Sequence, residues 1–264
     1  MKNGFKRTLR RMIPKIPPLP TALFLDVEPM VVPLSGLPAA FDGARVAVVA
    51  DTHFPDCTVE AEALVRCVAL QRPDAVFLPG DLTNFYAPLD EDRLRRLAQG
   101  LAAIAPCFAV PGNHERRGGR LPQYREILTD CGVRYMEDSF ATWEKDGQSL
   151  RLFGMNTVRP HPLQEKDQPA IVLAHKPQYF SYYVQAGWDL VVCGHAHGGQ
   201  IRLGGKGIYS PGQGLFPDYT GGIYREKNTT MVVSRGIGNS SVPVRLGNKP
   251  HLPLLILQTK KEVP

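Results

Sequence analysis

RVAVVADTH, residues 45–53, is the segment from which the fold of this 264-residue chain can first be predicted. A continuous run of small and β-branched residues ends in a polar tip that contains Asp51 and His53. A run without polar alternation is typical of a strand that is buried on both faces of its sheet. Such strands are usually parallel and joined by helices, so the segment predicts an α/β fold with polar chemistry at a strand end.

The same pattern returns four times along the chain. The further apolar runs with polar ends are AVFLPGD (75–81), CFAVPGNHE (107–115), AIVLAHKP (170–177) and LVVCGHAH (190–197). Apolar residues at helical spacing follow each of the first three runs, over 59–71, 90–104 and 121–131. This βαβαβ order predicts parallel strands with right-handed crossovers. VRYME, FATWE and LRLFGMN then predict short antiparallel strands, with a hairpin turn at Asp146-Gly147.

Composition is typical of a soluble globular protein, and the excess charge lies at one end. Hydrophobic residues make up 43% of the chain and charged residues 21%. Residues 1–15 hold six basic residues and no acid; removing those six from the 31 basic residues leaves 25, equal to the 25 acidic residues. Because nucleic-acid binding needs a basic face, the neutral remainder argues against nucleic acid as a partner. We expect a basic amphipathic arm (1–16), an extended lead-in (17–43) and one domain (44–260).

The arm has two open interpretations. At 100° per residue its apolar side chains, including Phe5, Leu9 and Ile13, share one side, and its cations share the other. This is typical of a short helix on an anionic membrane surface, but a disordered basic tail explains it equally well. The apolar segment of an export signal is missing after Arg10-Arg11, and no run approaches the ~18 apolar residues of a membrane span.

The cysteine pattern helps to predict the cellular compartment. Five cysteines without a C-x-x-C pair predict reduced residues rather than a disulfide framework. The expected location is therefore the cytoplasm, with peripheral attachment to the inner face of the cell membrane as a further hypothesis. The sequence predicts no oligomeric state.

The strand tips carry an unusual concentration of polar side chains. They are Asp51, His53, Asp81, Asn113, His114, His175, His195 and His197. Because ligands of open α/β sheets bind beyond the carboxyl ends of the strands, these side chains are expected to converge. Mixed oxygen and nitrogen ligands suit Mn, Fe or Zn, and the set is too large for one tetrahedral ion. Each residue alone could belong to a turn, but turns do not select histidine.

Five motifs in order carry a family resemblance. DTH, GDLTN, GNHE, the histidine of LAHKP and GHAH resemble the calcineurin-like metallophosphoesterase superfamily, over residues 44 to about 258. GHAHGGQIRL, SPGQGLFPDY and VSRGIGNS are similar to its YkuE/YaeI-like branch of bacterial phosphodiesterases. The resemblance implies the metallo-dependent phosphatase-like fold, a four-layer α/β/β/α sandwich with two mixed sheets. It also implies a cofactor of two divalent ions, Mn, Zn or Fe.

The resemblance implies a role for each residue at the strand tips. The residues that would bind the first ion are Asp51, His53 and His197. Those that would bind the second are Asn113, His175 and His195, with Asp81 bridging the two. His114 is expected to be catalytic, contacting phosphate or protonating the leaving group, with Glu115 orienting its imidazole. Asn84 and His251, where relatives often have acids, are interpreted as structural, and His161 as a loop residue.

The implied reaction is hydrolysis of a P–O bond by a metal-bridged hydroxide. The phosphoester substrate would be a phosphodiester or a diphosphate, with a membrane-associated substrate as a further hypothesis. Two alternatives are a nuclease of the same superfamily, which the neutral body disfavours, and a noncatalytic scaffold, which the complete ligand set disfavours. Aromatic residues in two loops, Phe85 and Tyr86 together with Tyr209, Phe216 and Tyr219, either line a substrate wall or simply pack.

Overall fold

The structure, a computed structural model, describes residues 25–117, 119–156, 168–210, 213–239 and 245–260. The predicted helix of the arm and the expected loop position of His161 lie outside these residues.

The first sheet contains six strands in the order β1-β16-β2-β3-β4-β5. Its strands are β1 (Asp26–Leu34), β2 (Arg45–Val48), β3 (Ala75–Leu78), β4 (Cys107–Ala109), β5 (Arg134–Tyr135) and β16 (His251–Thr259). β2, β3, β4 and β5 are parallel, while β16 runs antiparallel to β2 and parallel to β1. The parallel arrangement predicted for the first three apolar runs is therefore confirmed.

The second sheet also contains six strands, in the order β14-β15-β9-β8-β7-β6. Its strands are β6 (Ser139–Lys145), β7 (Gln148–Gly154), β8 (Ile171–Leu173), β9 (Leu190–Cys193), β14 (Gly222–Glu226) and β15 (Thr229–Val233). The four central strands are parallel, and both edge strands are antiparallel to their neighbours. Asp146 and Gly147 both have positive φ, 47° and 74°, which is the geometry of the predicted two-residue hairpin.

The longer helices lie on the outer face of each sheet, and one short helix follows the end of β4. The helices are α1 (Ala61–Leu70), α2 (Glu91–Ala102), α3 (Asn113–Arg117), α4 (Leu121–Asp130) and α5 (Phe180–Ala186). Asp90 caps α2 by accepting a hydrogen bond from the amide of Arg93 at 3.1 Å, and acidic residues occupy the first turn, where the helix dipole favours them. Two short hairpins, β10 (Arg202–Leu203) with β11 (Lys206–Gly207) and β12 (Tyr209–Ser210) with β13 (Gly214–Leu215), follow β9.

Three apolar layers hold the four layers of backbone together. In β3, Val76 and Leu78 face the outer helices, while Ala75 and Phe77 face the second sheet. In β9 of the second sheet, Val192 faces the first sheet and its neighbours pack toward α5. The expected α/β/β/α sandwich with two mixed sheets is confirmed. Burying each large apolar side chain contributes about 1.5–3 kcal/mol, so the core between the sheets fixes their relative position.

Three local expectations differ from the structure. VRYME was expected to start the antiparallel region, but β5 instead pairs parallel with β4 and completes the first sheet. Residues 26–34 of the expected lead-in form β1, which pairs with β16 along nine residues. The polar turn of GNHE becomes the short helix α3, and α5 had no predicted counterpart because its seven residues are too few for a clear helical period.

Candidate metal centre

The polar tips of five strands meet at one place between the two sheets. Asp51 and His53 follow β2, Asp81 follows β3, and Asn113 begins α3 after β4. From the second sheet, His175 follows β8, and His195 and His197 follow β9. All eight polar residues predicted at the strand tips are at most 9% exposed. The carboxyl ends of parallel strands therefore converge from both sheets, as the sequence predicted.

The backbone at these tips is held in a conformation that side chains rarely adopt. Five of the seven expected ligands have positive φ: Asp51 (56°), His53 (52°), Asp81 (54°), His195 (71°) and His197 (48°). The left-handed region costs roughly 1–2 kcal/mol per non-glycine residue. Strain of this kind persists where the surrounding structure enforces it, and it clusters at functional sites.

Glycines leave room for the carboxylates. A Cβ atom on Gly112 would lie 2.1 Å from Oδ1 of Asp81, and one on Gly194 would lie 2.7 Å from Oδ2 of Asp51. Real Cβ atoms essentially never approach another heavy atom below 3.0 Å. The glycines of GNHE and GHAH are thus required by close packing against the two aspartates.

The first group of side chains contains Asp51, His53 and His197, which offer ligand atoms within 4.8 Å of one another. Nε2 of His53 lies 3.0 Å from Nε2 of His197. Nε2 of His197 in turn lies 3.8 Å from Oδ1 of Asp51. Asp51 is held in place because both of its oxygens accept a hydrogen bond from the amide of His195 at 3.0 Å.

The second group contains Asp81, His175 and His195, again within 4.8 Å. Nε2 of His175 lies 3.0 Å from Oδ2 of Asp81 and 3.2 Å from Nδ1 of His195. The other ring nitrogen of His175 lies 2.8 Å from the carbonyl oxygen of Pro79, to which an N–H must donate. That hydrogen bond fixes the orientation of the ring and directs Nε2 toward Asp81.

Asp81 lies between the two groups. Its Oδ2 is 3.9 Å from Nε2 of His53 in the first group and 3.0 Å from Nε2 of His175 in the second. Its Oδ1 accepts a hydrogen bond of 2.8 Å from the amide of His114, which ties the turn after β4 to the turn after β3. Asp81 therefore lies within 4 Å of a histidine of each group.

The electrostatics favour neutral imidazoles at His53, His195 and His197 and a protonated imidazole at His175 beside the ionised carboxylate of Asp81. Burial lowers the pKa of His53 and His197 well below the usual value and that of His195 to about 3. Burial opposes charge on His175 as well, but the negative charge of Asp81 outweighs it and raises the pKa of His175 to about 9. For Asp81, burial alone would raise the pKa, yet His175 and His114 lower it well below its usual range.

These groups fit divalent cations. In the first group, nitrogens of two neutral imidazoles face one another at 3.0 Å, where only a proton or a cation can relieve the repulsion of their lone pairs. In the second group, a cation would replace the proton that His175 carries beside Asp81. Among the described residues, Oδ1 of Asn113 is buried and has no hydrogen-bond partner. This amide oxygen is therefore available to bind a cation. The donor set is imidazole nitrogen with carboxylate and amide oxygen, which suits Mn, Zn or Fe.

His114 lies at the edge of the cluster and has its own surroundings. Its ligand atom falls within 4.8 Å of His53 and Asp81, and its ring meets that of His53 edge-on at 4.4 Å. The rings of Phe85 and Tyr86 lie 5.0 Å and 5.8 Å from it. The amide of Phe85 donates to Nδ1 of His114 at 3.4 Å, a long contact that favours a proton on Nε2.

Of the five loop aromatics, Phe85 and Tyr86 make ring contacts with His114. Tyr219 instead packs against Phe180 and Tyr224, with ring centroids 5.5 Å and 5.1 Å away, and Phe216 is 79% exposed. The interpretation as ordinary packing therefore holds for Tyr219.

Glu115 has a role that differs from the expected one. Its carboxylate is fully buried, and both oxygens accept two hydrogen bonds: from the amide and hydroxyl of Thr83, and from the amides of Asp81 and Gly112. Burial raises the pKa of Glu115 to about 7, and the charge of Asp81 acts in the same direction. Glu115 thus locks together the turns after β3 and β4, which is a different task from orienting the imidazole of His114.

Asn84 and His251, which stand where relatives often have acids, do not belong to the groups of ligand atoms around Asp51, Asp81 or His114. Asn84 is buried, donates to Asp56 and accepts from the amide of Tyr86 at 3.0 Å. His251 is buried at the start of β16, where it accepts from the amide of Arg235 and lies 2.9 Å from Glu28. Both contact sets agree with a structural interpretation.

Arg245 was not anticipated from the sequence. Its guanidinium lies 3.5 Å from Nδ1 of His197 and donates to the carbonyl oxygens of Arg235 and Gly238. Burial lowers its pKa to about 10, so it still carries a charge near neutral pH beside the first group. VPVRLG contains no periodicity or spacing that could have placed this side chain near the histidines.

Imidazole and carboxylate side chains that meet at the strand ends of two α/β sheets are typical of metal-dependent hydrolases. The comparisons with known proteins agree. The family model described as calcineurin-like phosphoesterase matches residues 44–199, more than half of the chain. The chain belongs to the calcineurin-like phosphoesterase family and is a metal-dependent phosphoester hydrolase.

Three relatives show how widely this domain is used. Phosphodiesterase YaeI of Escherichia coli (strain K12) is 28% identical over 224 residues, which cover 81% of this chain and 82% of that protein. The uncharacterized metallophosphoesterase YkuE of Bacillus subtilis (strain 168) is 25% identical over 236 residues, covering 84% and 82%. A transmembrane protein with metallophosphoesterase domain from Bos taurus is 26% identical over 253 residues, covering 86% of this chain and 56% of that protein.

Proposed function

We propose that this chain hydrolyses phosphodiesters or diphosphates at a centre of two divalent ions. The observation that carries the proposal is that two groups of possible ligands lie side by side, with Oδ2 of Asp81 close to a histidine of each group. In this proposal the first ion is held by Asp51, His53 and His197. The second is held by Asn113, His175 and His195, and Asp81 contacts both.

The proposed reaction assigns separate roles to the metal ligands, to His114 and to the two aromatic residues beside it. Two bound ions supply positive charge against the phosphoryl oxygens and make a proton easier to remove from water. His114, which belongs to neither set of proposed ligands, directs its Nε2–H at the substrate and can give that proton to the departing oxygen. Phe85 and Tyr86 pack against His114 and help to hold its ring in place.

A comparison of substrate classes tests the proposal. Protein loaded with Mn is expected to hydrolyse bis(p-nitrophenyl) phosphate or a lipid-linked diphosphate with a higher kcat/KM than p-nitrophenyl phosphate. The name of the relative YaeI, a phosphodiesterase, supports this order. A chelator should remove the activity, and added Mn should restore it. Activity confined to the monoester, or activity that survives metal removal, would count against the proposal.

We also infer that residues 1–16 attach the protein to an anionic membrane surface on its cytoplasmic side. Six cations lie in residues 1–15, and each contributes about 1 kcal/mol near such a surface. The apolar residues Phe5, Leu9 and Ile13 would add shallow burial between the lipid headgroups. None of the helices in the described part of the chain has the length and apolarity needed to cross a membrane.

A sedimentation experiment tests the membrane inference. The full-length protein should sediment with vesicles that contain anionic lipid at low salt, and it should be released at high salt because the attraction is screened. Deleting residues 2–15 should abolish sedimentation while leaving hydrolysis of a soluble diester unchanged. Vesicles of neutral lipid provide the matched control. Equal sedimentation of both forms, or of neither, would show that the arm is an ordinary basic tail.

A further inference from the structure

A cavity of about 350 Å³ opens beside the second group of ligands. Asn113 and His175 form part of its wall, and the wall continues over Arg116, Lys176 and Tyr179. Neither His53 nor His114 is among the described residues that line it. The volume lies within the range of small-molecule sites, ~300–1,000 Å³. The cavity is thus continuous with one side of the metal centre and separate from the side where His114 lies.

Two cations reach this cavity from different elements. Arg116 lies in α3, three residues after Asn113, and donates a hydrogen bond to the carbonyl oxygen of Asn156 beyond the end of β7. Lys176 directly follows His175, and its ammonium lies 6.0 Å from the centre of the Tyr179 ring. Both cations line the cavity together with Asn113 and His175, two of the proposed ligands of the second ion.

The nearby carboxylates are engaged elsewhere. Glu137 accepts from Nδ2 of Asn156 at 2.7 Å and lies 3.9 Å from Arg125, while Asp138 accepts from the amide of Asn156 at 2.8 Å. Within the ranges that the structure describes, no carboxylate forms an ion pair with Arg116 or Lys176. The cavity therefore concentrates positive charge beside the metal centre.

We propose that this cavity is a subsite for a second phosphate group of the substrate, bound by Arg116 and Lys176. The proposal rests on the proposed function and narrows it to phosphoesters that carry a further phosphate on the part of the molecule facing away from His114. An Arg guanidinium can hold two phosphate oxygens at once, and a Lys ammonium adds a compact charge. Two cations from separate elements match a doubly charged phosphate better than a single carboxylate.

A matched pair of substrates tests the subsite. p-Nitrophenyl ethyl phosphate and p-nitrophenyl 2-(phosphonooxy)ethyl phosphate share the leaving group and differ only in the second phosphate. A hydrogen bond to a charged group contributes about 1.5–3 kcal/mol, so the wild-type protein should prefer the second ester roughly 10- to 150-fold in kcat/KM. p-Nitrophenyl 2-carboxyethyl phosphate forms a third arm, which separates recognition of phosphate from recognition of any anion.

Single substitutions test whether Lys176 and Arg116 cause the preference for the ester with the second phosphate. Lys176→Met and Arg116→Met keep an apolar stem and remove the charge, and each should reduce the ratio between the two esters at least fivefold. Arg66→Met removes a charge from the exposed face of α1 and should keep the wild-type ratio. A ratio near one in the wild type would overturn the subsite while leaving the proposed function intact. A ratio that persists in both variants would overturn the assignment to these two residues.

Equilibrium binding makes the test independent of turnover. Calorimetry on the metal-loaded protein should show that propane-1,3-bisphosphonate binds at least tenfold more tightly than propylphosphonate, and Lys176→Met should remove most of the difference. If neither ester is hydrolysed but the bisphosphonate shows this preference, the proposed function fails and the anion subsite stands. Equal affinity for the two phosphonates would overturn the subsite.

Discussion

His114→Ala is expected to lower kcat by roughly 10²–10⁴-fold on substrates with poor leaving groups while the metal content stays unchanged. The reason lies in the position of His114. The amide of Phe85 approaches its Nδ1, and its ring contacts the ring of His53 without belonging to either proposed set of ligands. A residue that protonates a leaving group is needed most when that group is a strong base.

Leaving-group dependence provides the internal control for this variant. An ester of p-nitrophenol, whose anion departs without a proton, should lose much less activity than an alkyl ester of the same phosphate. Elemental analysis of the same preparations should give the wild-type metal content. Loss of metal from His114→Ala, or an equal loss of activity on both esters, would show that His114 acts as a ligand or in another role.

Asp81→Asn is expected to cause the second large effect. The amide oxygen can still accept the hydrogen bond from the amide of His114, so the shape of the turn is kept while the charge is lost. Without that charge the centre should lose at least one of its two ions. The value of kcat/KM should fall by about 10³-fold or more, or about 4 kcal/mol of transition-state stabilisation.

A matched variant separates the effect of the ligand from a general effect of the substitution. Asp90→Asn makes the same chemical change at the N-cap of α2, where Asn is as good a cap as Asp. This variant should keep its metal content, activity and thermal stability. Full metal occupancy in Asp81→Asn would contradict the bridging role proposed for Asp81.

The sequence predicts those parts of the molecule that depend on local pattern. The apolar runs at β2 and β3 are buried on both faces of the first sheet, so their composition alone predicted parallel strands. The eight polar residues at the five strand tips could be predicted to converge because parallel strands end at the same edge of a sheet. The hairpin at Asp146-Gly147 followed from turn chemistry.

Contacts between distant segments could not be predicted in this way. The parallel pairing of β5 with β4 depends on tertiary packing, because two residues are too few to carry a pattern. Arg245 approaches His197 from a segment 48 residues away, and no motif marks it. Arg116 and Lys176 lie 60 positions apart, and only the folded structure brings them to the same cavity.

The metal content of the wild-type protein tests the central claim most directly. Protein prepared in excess Mn or Zn and freed of unbound metal should contain about two ions per chain by elemental analysis. Two ions are expected because the proposed ligands fall into two groups, Asp51, His53 and His197 in one and Asp81, His175 and His195 in the other, while the remaining group of ligand atoms contains His114, to which a catalytic role is assigned. A reproducible value of one ion or none would contradict the proposed two-ion centre.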